Sequence, residues 1–119
     1  MRPLHWVRLD KRRPALVLTR ELMVGRMSTV TVAPVSTTVH GIATELLLGV
    51  ANGLDQRCAA KLDQVTSIPV EWFFEPCGWL LDAQEAALHD ALQAAYDLVD
   101  GIAARAATSA SVRGHGRDR

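Results

Sequence analysis

Short apolar stretches separated by turn residues occupy the chain from residue 3 to residue 81. In most of them apolar or β-branched residues alternate with polar ones, which is the period of a strand with one buried face. The pattern predicts six strands, over residues 3–9, 14–19, 28–35, 43–50, 58–68 and 77–81. Because only residues 10–13 separate the first two, these strands should form a tight antiparallel hairpin. Asn52-Gly53 predicts a turn after the fourth strand.

A helical period replaces the strand pattern after residue 81. Asp82 is a candidate N-cap, with Glu85 three residues later in the arrangement of a capping box, and Gly101 is the predicted stop. The apolar stripe of this helix consists of Leu88, Leu92, Ala95 and Val99. The predicted fold is mostly β with a C-terminal helix, in which a small, strongly bent, barrel-like sheet packs against the helix. Residues 1–100 are predicted to form one domain. Residues 101–119 are predicted to be a flexible tail, since the chain from Ser109 on lacks the apolar content to order itself, although residues 102–108 could prolong the helix weakly.

Length and composition narrow the class of protein. A chain of 119 residues with 49% hydrophobic and 22% charged residues has the usual composition of a single globular domain. No apolar run approaches the roughly 18 residues that a membrane span needs, and the N-terminus lacks the apolar core of a signal peptide. Cys58 and Cys77 have no metal-type spacing, and a disulfide between them is not expected. A cytoplasmic protein without a membrane partner is predicted.

The net charge of zero conceals a sorting of charges along the chain. Residues 1–26 carry seven cations and two acids, whereas residues 63–100 carry eight acids and no lysine or arginine. Such asymmetry suggests one side that faces a polyanion and one that repels it. The alternative is a solvated surface sorted by chance, and the charge pattern alone does not separate the two.

Most kinds of catalytic site find no support in the sequence. The four histidines are scattered without metal-ligand spacing, and neither a glycine-rich phosphate loop nor a Gly-x-Ser-x-Gly elbow is present. What remains is a cation cluster that ends in Arg13 and a hydroxyl cluster that begins at Ser36. If the second and third strands pair antiparallel, these two residues meet, and a guanidinium beside a hydroxyl is a good phosphate receptor. Alternatively, residues 36–38 are only a turn and Arg13 is a surface residue.

An ordered set of motifs resembles the MazF/PemK toxins of type II toxin–antitoxin modules. The motifs are "HWVRLD", "RRPALVLTR", "STVTVAPVSTT" and "NGLDQRCAAKLDQVTSI", and the resemblance covers about residues 4–98. It implies an SH3-like barrel of the kind shared with CcdB toxins, a homodimer, and sequence-specific, metal-independent cleavage of single-stranded RNA by attack of the 2′-hydroxyl. It also implies a cognate antitoxin as partner, and no cofactor.

Site residues follow from the matched motifs. Arg13 matches the catalytic arginine of the family, and Ser36 stands where a catalytic threonine is usual, with Thr37 as its substitute. Asp63 and Gln64 match an acidic residue and glutamine near the RNA groove and are carried over as possible base contacts. In addition, the ordinary pKa of histidine near neutrality makes His40 a possible proton shuttle. Flanking phosphates would be bound by Lys11 and Arg12.

The chain departs from the family pattern in its first hairpin. Most members have a longer loop there, with glycines and a glutamate near the active site, whereas Lys11 and Arg12 are the entire loop here, as in short-loop actinobacterial members. Two alternative functions therefore stay open: a gyrase-directed toxin on the same barrel, and a non-catalytic RNA-binding relic. Trp72, Phe73 and Phe74 are interpreted either as a ridge for a dimer or antitoxin interface or as ordinary core.

Overall fold

Seven strands form one curled antiparallel sheet in the computed structural model, which describes residues 2–20 and 25–98. The sheet order is β4-β5-β3-β2-β1-β7, and β6 lies beside β3. The strands are β1 (Arg2–Arg8), β2 (Arg12–Val17), β3 (Thr29–Ser36), β4 (Glu45–Leu48), β5 (Cys58–Lys61), β6 (Thr66–Pro69) and β7 (Phe73–Leu80), and they are followed by the helix α1 (Glu85–Tyr96). The predicted fold class is confirmed.

Two of the six predicted strands differ from the observed ones by more than two residues. The single strand predicted over residues 58–68 is divided into β5 and β6 by a 3-10 turn at Leu62–Gln64. The last strand begins at Phe73 instead of residue 77. The predicted hairpin of β1 and β2 is confirmed, with Arg8 opposite Arg12.

Strand β3 is the centre of the sheet because it pairs with three neighbours. Its first half pairs with β6, its middle with β2, and its last two residues with β5. The buried apolar residues accordingly form two clusters. The larger one contains Leu4, Leu16 and Leu62 and lies under α1, and the smaller one contains Val30 and Val32. β3 contributes buried side chains to both clusters, Ala33 and Val35 to the larger one and Val30 and Val32 to the smaller one. Packing therefore holds both faces of this strand.

The helix begins and ends at other residues than predicted. Asp82 lies inside a 3-10 turn (Asp82–Gln84), and α1 begins at Glu85, so the prediction of Asp82 as the N-cap was wrong. The helix ends at Tyr96, because Asp97 adopts a left-handed conformation with φ 55° and donates its N–H to the Gln93 carbonyl. The predicted stop at Gly101 and the tail over residues 101–119 lie outside the described residues. In the described part of the chain no helix has the length and apolar character needed to cross a membrane.

A buried ion pair joins the two strands at one edge of the sheet. Glu45 on β4 and Lys61 on β5 are register partners, and the Lys61 ammonium donates to the Glu45 carboxylate. The exposed fractions of the two side chains are only 1% and 8%. The bond from Lys61, together with N–H groups of His40 and Gly41, outweighs the cost of burial and holds the pKa of Glu45 at about 2 instead of 4.5. This carboxylate therefore stays ionised in the folded protein at neutral pH.

The ion pair predicts how stability depends on pH. Since folding lowers the Glu45 pKa from 4.5 to about 2, the contribution of this ion is complete above the higher value and is lost as the pH falls towards the lower one. We expect Glu45→Gln to be less stable than the wild type at neutral pH and to lose less of its unfolding free energy on acidification. Urea unfolding at several pH values measures this. The exposed Asp55→Asn variant is the control and should follow the wild type; equal pH profiles for Glu45→Gln and wild type would contradict the assignment.

A close backbone approach makes glycine necessary at position 78. A Cβ atom at Gly78 would lie 1.9 Å from the Asn52 carbonyl oxygen, whereas at Gly49 the nearest atom would be 3.9 Å away. We expect Gly78→Ala to lower the unfolding free energy by about 2 kcal/mol or more, since overpacking forces the backbone to shift. Gly49→Ala should change it much less. Thermal and urea unfolding of both variants compare the two positions, and equal stabilities would refute the contact.

Candidate active site

An open cavity of about 420 Å³ lies where the ends of β2, β3 and β5 meet. Its walls come from the first hairpin, from the end of β3 with the loop that follows, and from the 3-10 turn between β5 and β6. Five of the residues singled out in the sequence line it, namely Arg13, Ser36, His40, Asp63 and Gln64. The cavity thus collects side chains that are as far apart as position 13 and position 64 in the sequence.

Strand pairing brings Arg13 to this cavity. β2 and β3 are antiparallel with Ala15 opposite Pro34, and the same register continued by two residues sets Arg13 opposite Ser36. Nη1 of Arg13 lies 3.5 Å from the Val35 carbonyl oxygen, at the end of β3. The sequence predicted that Arg13 and Ser36 would meet if β2 and β3 paired antiparallel, and this neighbourhood is observed.

Asp10 fixes the orientation of the Arg13 guanidinium. Nε and Nη2 of Arg13 donate to the two Asp10 carboxylate oxygens at 2.9 and 2.8 Å. These bonds lower the pKa of Asp10 to about 2 and raise that of Arg13 above its already high ordinary value. Both groups are consequently charged at neutral pH. This two-point bond holds the planar guanidinium in place, and with one hydrogen of Nη1 donated to the Val35 carbonyl it leaves one hydrogen each on Nη1 and Nη2 for another acceptor.

The Ser36 hydroxyl is oriented by its own loop. Its Oγ accepts a hydrogen bond from the Thr38 N–H at 3.1 Å, which closes a short turn after β3. Ser36 also borders a second cavity of about 370 Å³, together with Thr37, Trp6 and Pro14. Thr37 lines this second cavity and is not part of the lining of the first one.

The two cations that precede Arg13 lie outside the cavity. Lys11 is exposed on the hairpin. Arg12 points to the opposite face of β2, as alternation along a strand requires. There its guanidinium pairs with Glu75 and lies 4.6 Å from the Phe74 ring centroid and 5.3 Å from that of Trp6.

The sequence left residues 72–74 open between an exposed interface ridge and ordinary core, and the structure separates the three aromatic side chains. Trp72 and Phe73 are half-buried against the smaller cluster, whereas 41% of the Phe74 side chain is exposed. Arg8 lies over the Trp72 ring at 4.6 Å. Only Phe74 therefore remains available as an exposed apolar contact among the three.

Sequence reasoning gave no site role to three charged residues of the cavity wall, namely Asp10, Glu45 and Lys61. Glu45 and Lys61 stand in the short strand segments "ELLL" and "CAAK", whose other residues are mostly buried. A charge at the end of such a segment, matched by an opposite charge on the next strand, was the available signal. It could not be used before the register of β4 and β5 was known.

The arrangement is suited to bind an anion that carries hydrogen-bonding groups on its flanks. A fixed guanidinium and a hydroxyl converge from adjacent strands, and Asp63 and Gln64 offer acceptors and donors across the opening. Within residues 2–20 and 25–98, no group of three histidine, cysteine, aspartate or glutamate side chains is arranged to hold a metal ion. Cys58 and Cys77 are free thiols.

Comparison with known proteins gives a consistent result. The family described as PemK-like, MazF-like toxin of type II toxin–antitoxin systems matches residues 6–96. "Endoribonuclease MazF3" of Mycobacterium tuberculosis is 46% identical over 98 residues, which are 82% of this chain and 95% of the relative. "Probable endoribonuclease MazF5" of the same species is 36% identical over 87 residues, covering 72% and 80% of the two chains.

A solved structure supports the same relationship. The fold is similar to that of "Mycobacterium tuberculosis toxin MazF-mt6", with a TM-score of 0.80 and 44% identity over 82% of this chain and 98% of the other. The family match over residues 6–96 contains every strand from β2 to β7 and the whole of α1. On this evidence the chain belongs to the PemK-like, MazF-like toxin family of type II toxin–antitoxin systems.

Proposed function

We propose that the protein is an endoribonuclease toxin that cleaves single-stranded RNA at specific sequences and is neutralised by a cognate antitoxin. Family membership and the relatives named as endoribonucleases support this. The observation that carries the proposal is the convergence of Arg13 and Ser36 on one open cavity from adjacent strand ends. The toxin domain is assigned to residues 1–100, and the protein is proposed to work in the cytoplasm as a homodimer.

The nucleophile of the proposed reaction belongs to the substrate. The ribose 2′-hydroxyl attacks the adjacent phosphorus, the bond from phosphorus to the 5′-oxygen breaks, and the products are a 2′,3′-cyclic phosphate and a 5′-hydroxyl end. The 2′-hydroxyl loses a proton and the leaving oxygen gains one. The protein therefore has to orient the ribose, stabilise charge on the phosphoryl oxygens and move two protons. No step calls for a metal or a cofactor.

Arg13 suits the stabilisation of charge. Its raised pKa keeps it protonated, so it is a poor base and a permanent hydrogen-bond donor. Asp10 accepts the Nε hydrogen and one hydrogen of Nη2, and the Val35 carbonyl accepts one hydrogen of Nη1, so the remaining hydrogens of Nη1 and Nη2 are the ones available to a phosphoryl oxygen. A guanidinium that is already held in place needs no reorganisation when the charge develops.

Ser36 supplies a second donor. Since its oxygen accepts the Thr38 N–H, its own hydrogen can point away from the backbone towards a phosphoryl oxygen. Asp63 and Gln64 are assigned to base contacts, and His40 at the cavity wall is the candidate for proton transfer. Lys11 and Arg12, which lie outside the cavity, are assigned to phosphates further along the RNA.

Mapping of RNA ends tests the reaction. Expression of the protein should produce new 5′-hydroxyl ends at a shared short sequence, and purified protein should produce the same ends in the presence of a chelator. A parallel assay of DNA supercoiling examines the gyrase-directed alternative. Loss of supercoiling with intact RNA would refute the proposal, and so would binding of RNA without any cleavage.

Arg13→Ala should lower the rate of RNA cleavage by about 10²- to 10³-fold, which is the usual cost of removing one donor to a developing oxyanion. Arg13→Lys should recover only part of the rate, because a lysine cannot replace the fork that Asp10 holds. Single-turnover cleavage of an oligonucleotide that contains a mapped site measures both variants. Arg57→Ala removes an exposed cation outside the cavity and should cleave like the wild type; cleavage by Arg13→Ala at that same rate would refute the assignment.

Ser36→Ala should lower the same rate by about 10- to 100-fold, as expected for the loss of one hydrogen bond to a charged group. Ser36→Thr should retain most of the activity, since it keeps the hydroxyl and adds one methyl group beside the open cavity. Thr37→Ala, which changes a hydroxyl on the neighbouring cavity, is the matched control. If Thr37→Ala is the slower of the two alanine variants, the catalytic hydroxyl has been assigned to the wrong residue.

A further inference from the structure

We propose that Lys61 and Glu45 are positioning residues that orient the Ser36 hydroxyl through the peptide groups of Thr38. The inference rests on the proposed function, because it assigns a task to Ser36 in RNA cleavage. The ion pair adds to a connection that the backbone already makes, since β4 and β5 are also paired from Leu46 to Leu48. The charges of Glu45 and Lys61 are buried at the cavity wall, where a burial cost has to be offset by specific bonds.

The Glu45 carboxylate organises the loop that follows β3. Its Oε1 accepts the Gly41 N–H at 2.8 Å and the His40 N–H at 3.0 Å. Gly41 has φ +72°, a left-handed conformation that residues with a side chain rarely adopt. Two successive N–H groups that turn towards one anion form a nest, here with a carboxylate of the same chain as the anion. The loop between β3 and β4 is thus folded around Glu45.

Lys61 extends this anchor to Thr38. Its ammonium donates to the Thr38 carbonyl oxygen at 2.6 Å and also to the Glu45 carboxylate. With only 8% of the Lys61 side chain exposed, the two acceptors restrict the ammonium to one position. Lys61 therefore connects the carboxylate that holds the loop to the residue that contacts Ser36.

Thr38 is the link between the anchor and the hydroxyl. Lys61 holds its carbonyl, and its N–H donates to Ser36 Oγ at 3.1 Å. If the carbonyl were released, the turn after β3 would lose its constraint on that side and the N–H would no longer hold the serine oxygen at one point. The serine hydrogen would then sample directions that do not lead to the phosphate, and small misplacements of this kind slow a reaction strongly.

A direct contact between Lys61 and the RNA phosphate is the competing role. The burial of the ammonium and its two acceptors favour positioning, because they leave at most one of its three hydrogens for a phosphate and only 8% of the side chain is exposed. The two roles give different results when Ser36 is removed. A positioning residue that acts only through the hydroxyl has nothing left to orient in a Ser36→Ala protein, whereas a phosphate ligand still has its own contact to lose.

The test is a double-mutant cycle with Lys61→Met, Ser36→Ala and the protein that carries both changes. Methionine matches the four-atom aliphatic part of the lysine side chain and removes the ammonium. We expect Lys61→Met to lower the single-turnover rate at saturating RNA by about 10- to 100-fold, with RNA affinity changed little. In the Ser36→Ala background the same change should have almost no further effect. Val30→Ala, a buried truncation in the smaller cluster, controls for lost stability and should lower the melting temperature without a comparable loss of rate.

Equal effects of Lys61→Met in the two backgrounds would overturn the proposal, and so would a wild-type rate in the single variant. If Lys61→Met does not fold, Glu45→Gln replaces it in the same cycle. Hydrogen exchange gives a readout that is independent of activity: the Thr38 amide should exchange faster in Lys61→Met than in the wild type and in Val30→Ala. If the wild type cleaves no RNA, the proposed function fails, while unchanged exchange at Thr38 still overturns the anchor.

Discussion

The antiparallel register of β2 on β3 is the constraint from which the candidate active site follows. It sets the start of one strand beside the end of the other, so that Arg13 and Ser36 reach the same cavity. The side-chain period of a strand is two, and a shift by one residue would turn Arg13 to the opposite face. Arg12, which lies outside the first cavity, shows what that face provides, namely Glu75 and two aromatic rings. Such a shift would also exchange the faces of Leu16, which is buried in the larger cluster, and of Ala15 and Val17, which are buried in the smaller one.

Those parts of the fold that depend on local patterns were predictable from the sequence. Alternation located the strands, and the short hairpin together with one assumed pairing placed Arg13 near Ser36. The limits of α1 were not predictable, because the helix ends at a left-handed Asp97, for which no glycine was needed. Glu45 and Lys61 were missed for another physical reason. A charged residue in a sequence is expected in solvent, and only the pairing of β4 with β5 shows that these two neutralise each other in the interior.

Charge sorting along the chain is partly undone in the folded protein. The basic N-terminal block and the acidic C-terminal block meet in the folded protein, where Arg2 pairs with Glu85 and Arg12 with Glu75. The basic block and the acidic block of the sequence therefore do not by themselves define a polyanion-facing side and an opposite acidic side of the folded protein. What distinguishes the cavity is local: the Arg13 guanidinium is held in one orientation while part of its donor set stays open.

Asp10 shows how a short first hairpin can still serve the proposed phosphate site. The resemblance to the family implies a longer loop with a glutamate, and this chain has neither, yet the short hairpin brings a carboxylate to the cavity three residues before Arg13. A negative charge at this point weakens the attraction of RNA, but it also fixes the guanidinium, and 68% of the Asp10 side chain is exposed, so that solvent screens its repulsion. Both charges of the pair persist at neutral pH, because the bond to Arg13 lowers the Asp10 pKa to about 2. Asp10 on the short loop therefore reduces the long-range attraction of RNA but fixes the orientation of the Arg13 guanidinium. Orientation matters for the proposed reaction, because its nucleophile is already part of the substrate and has to be aligned with the phosphorus.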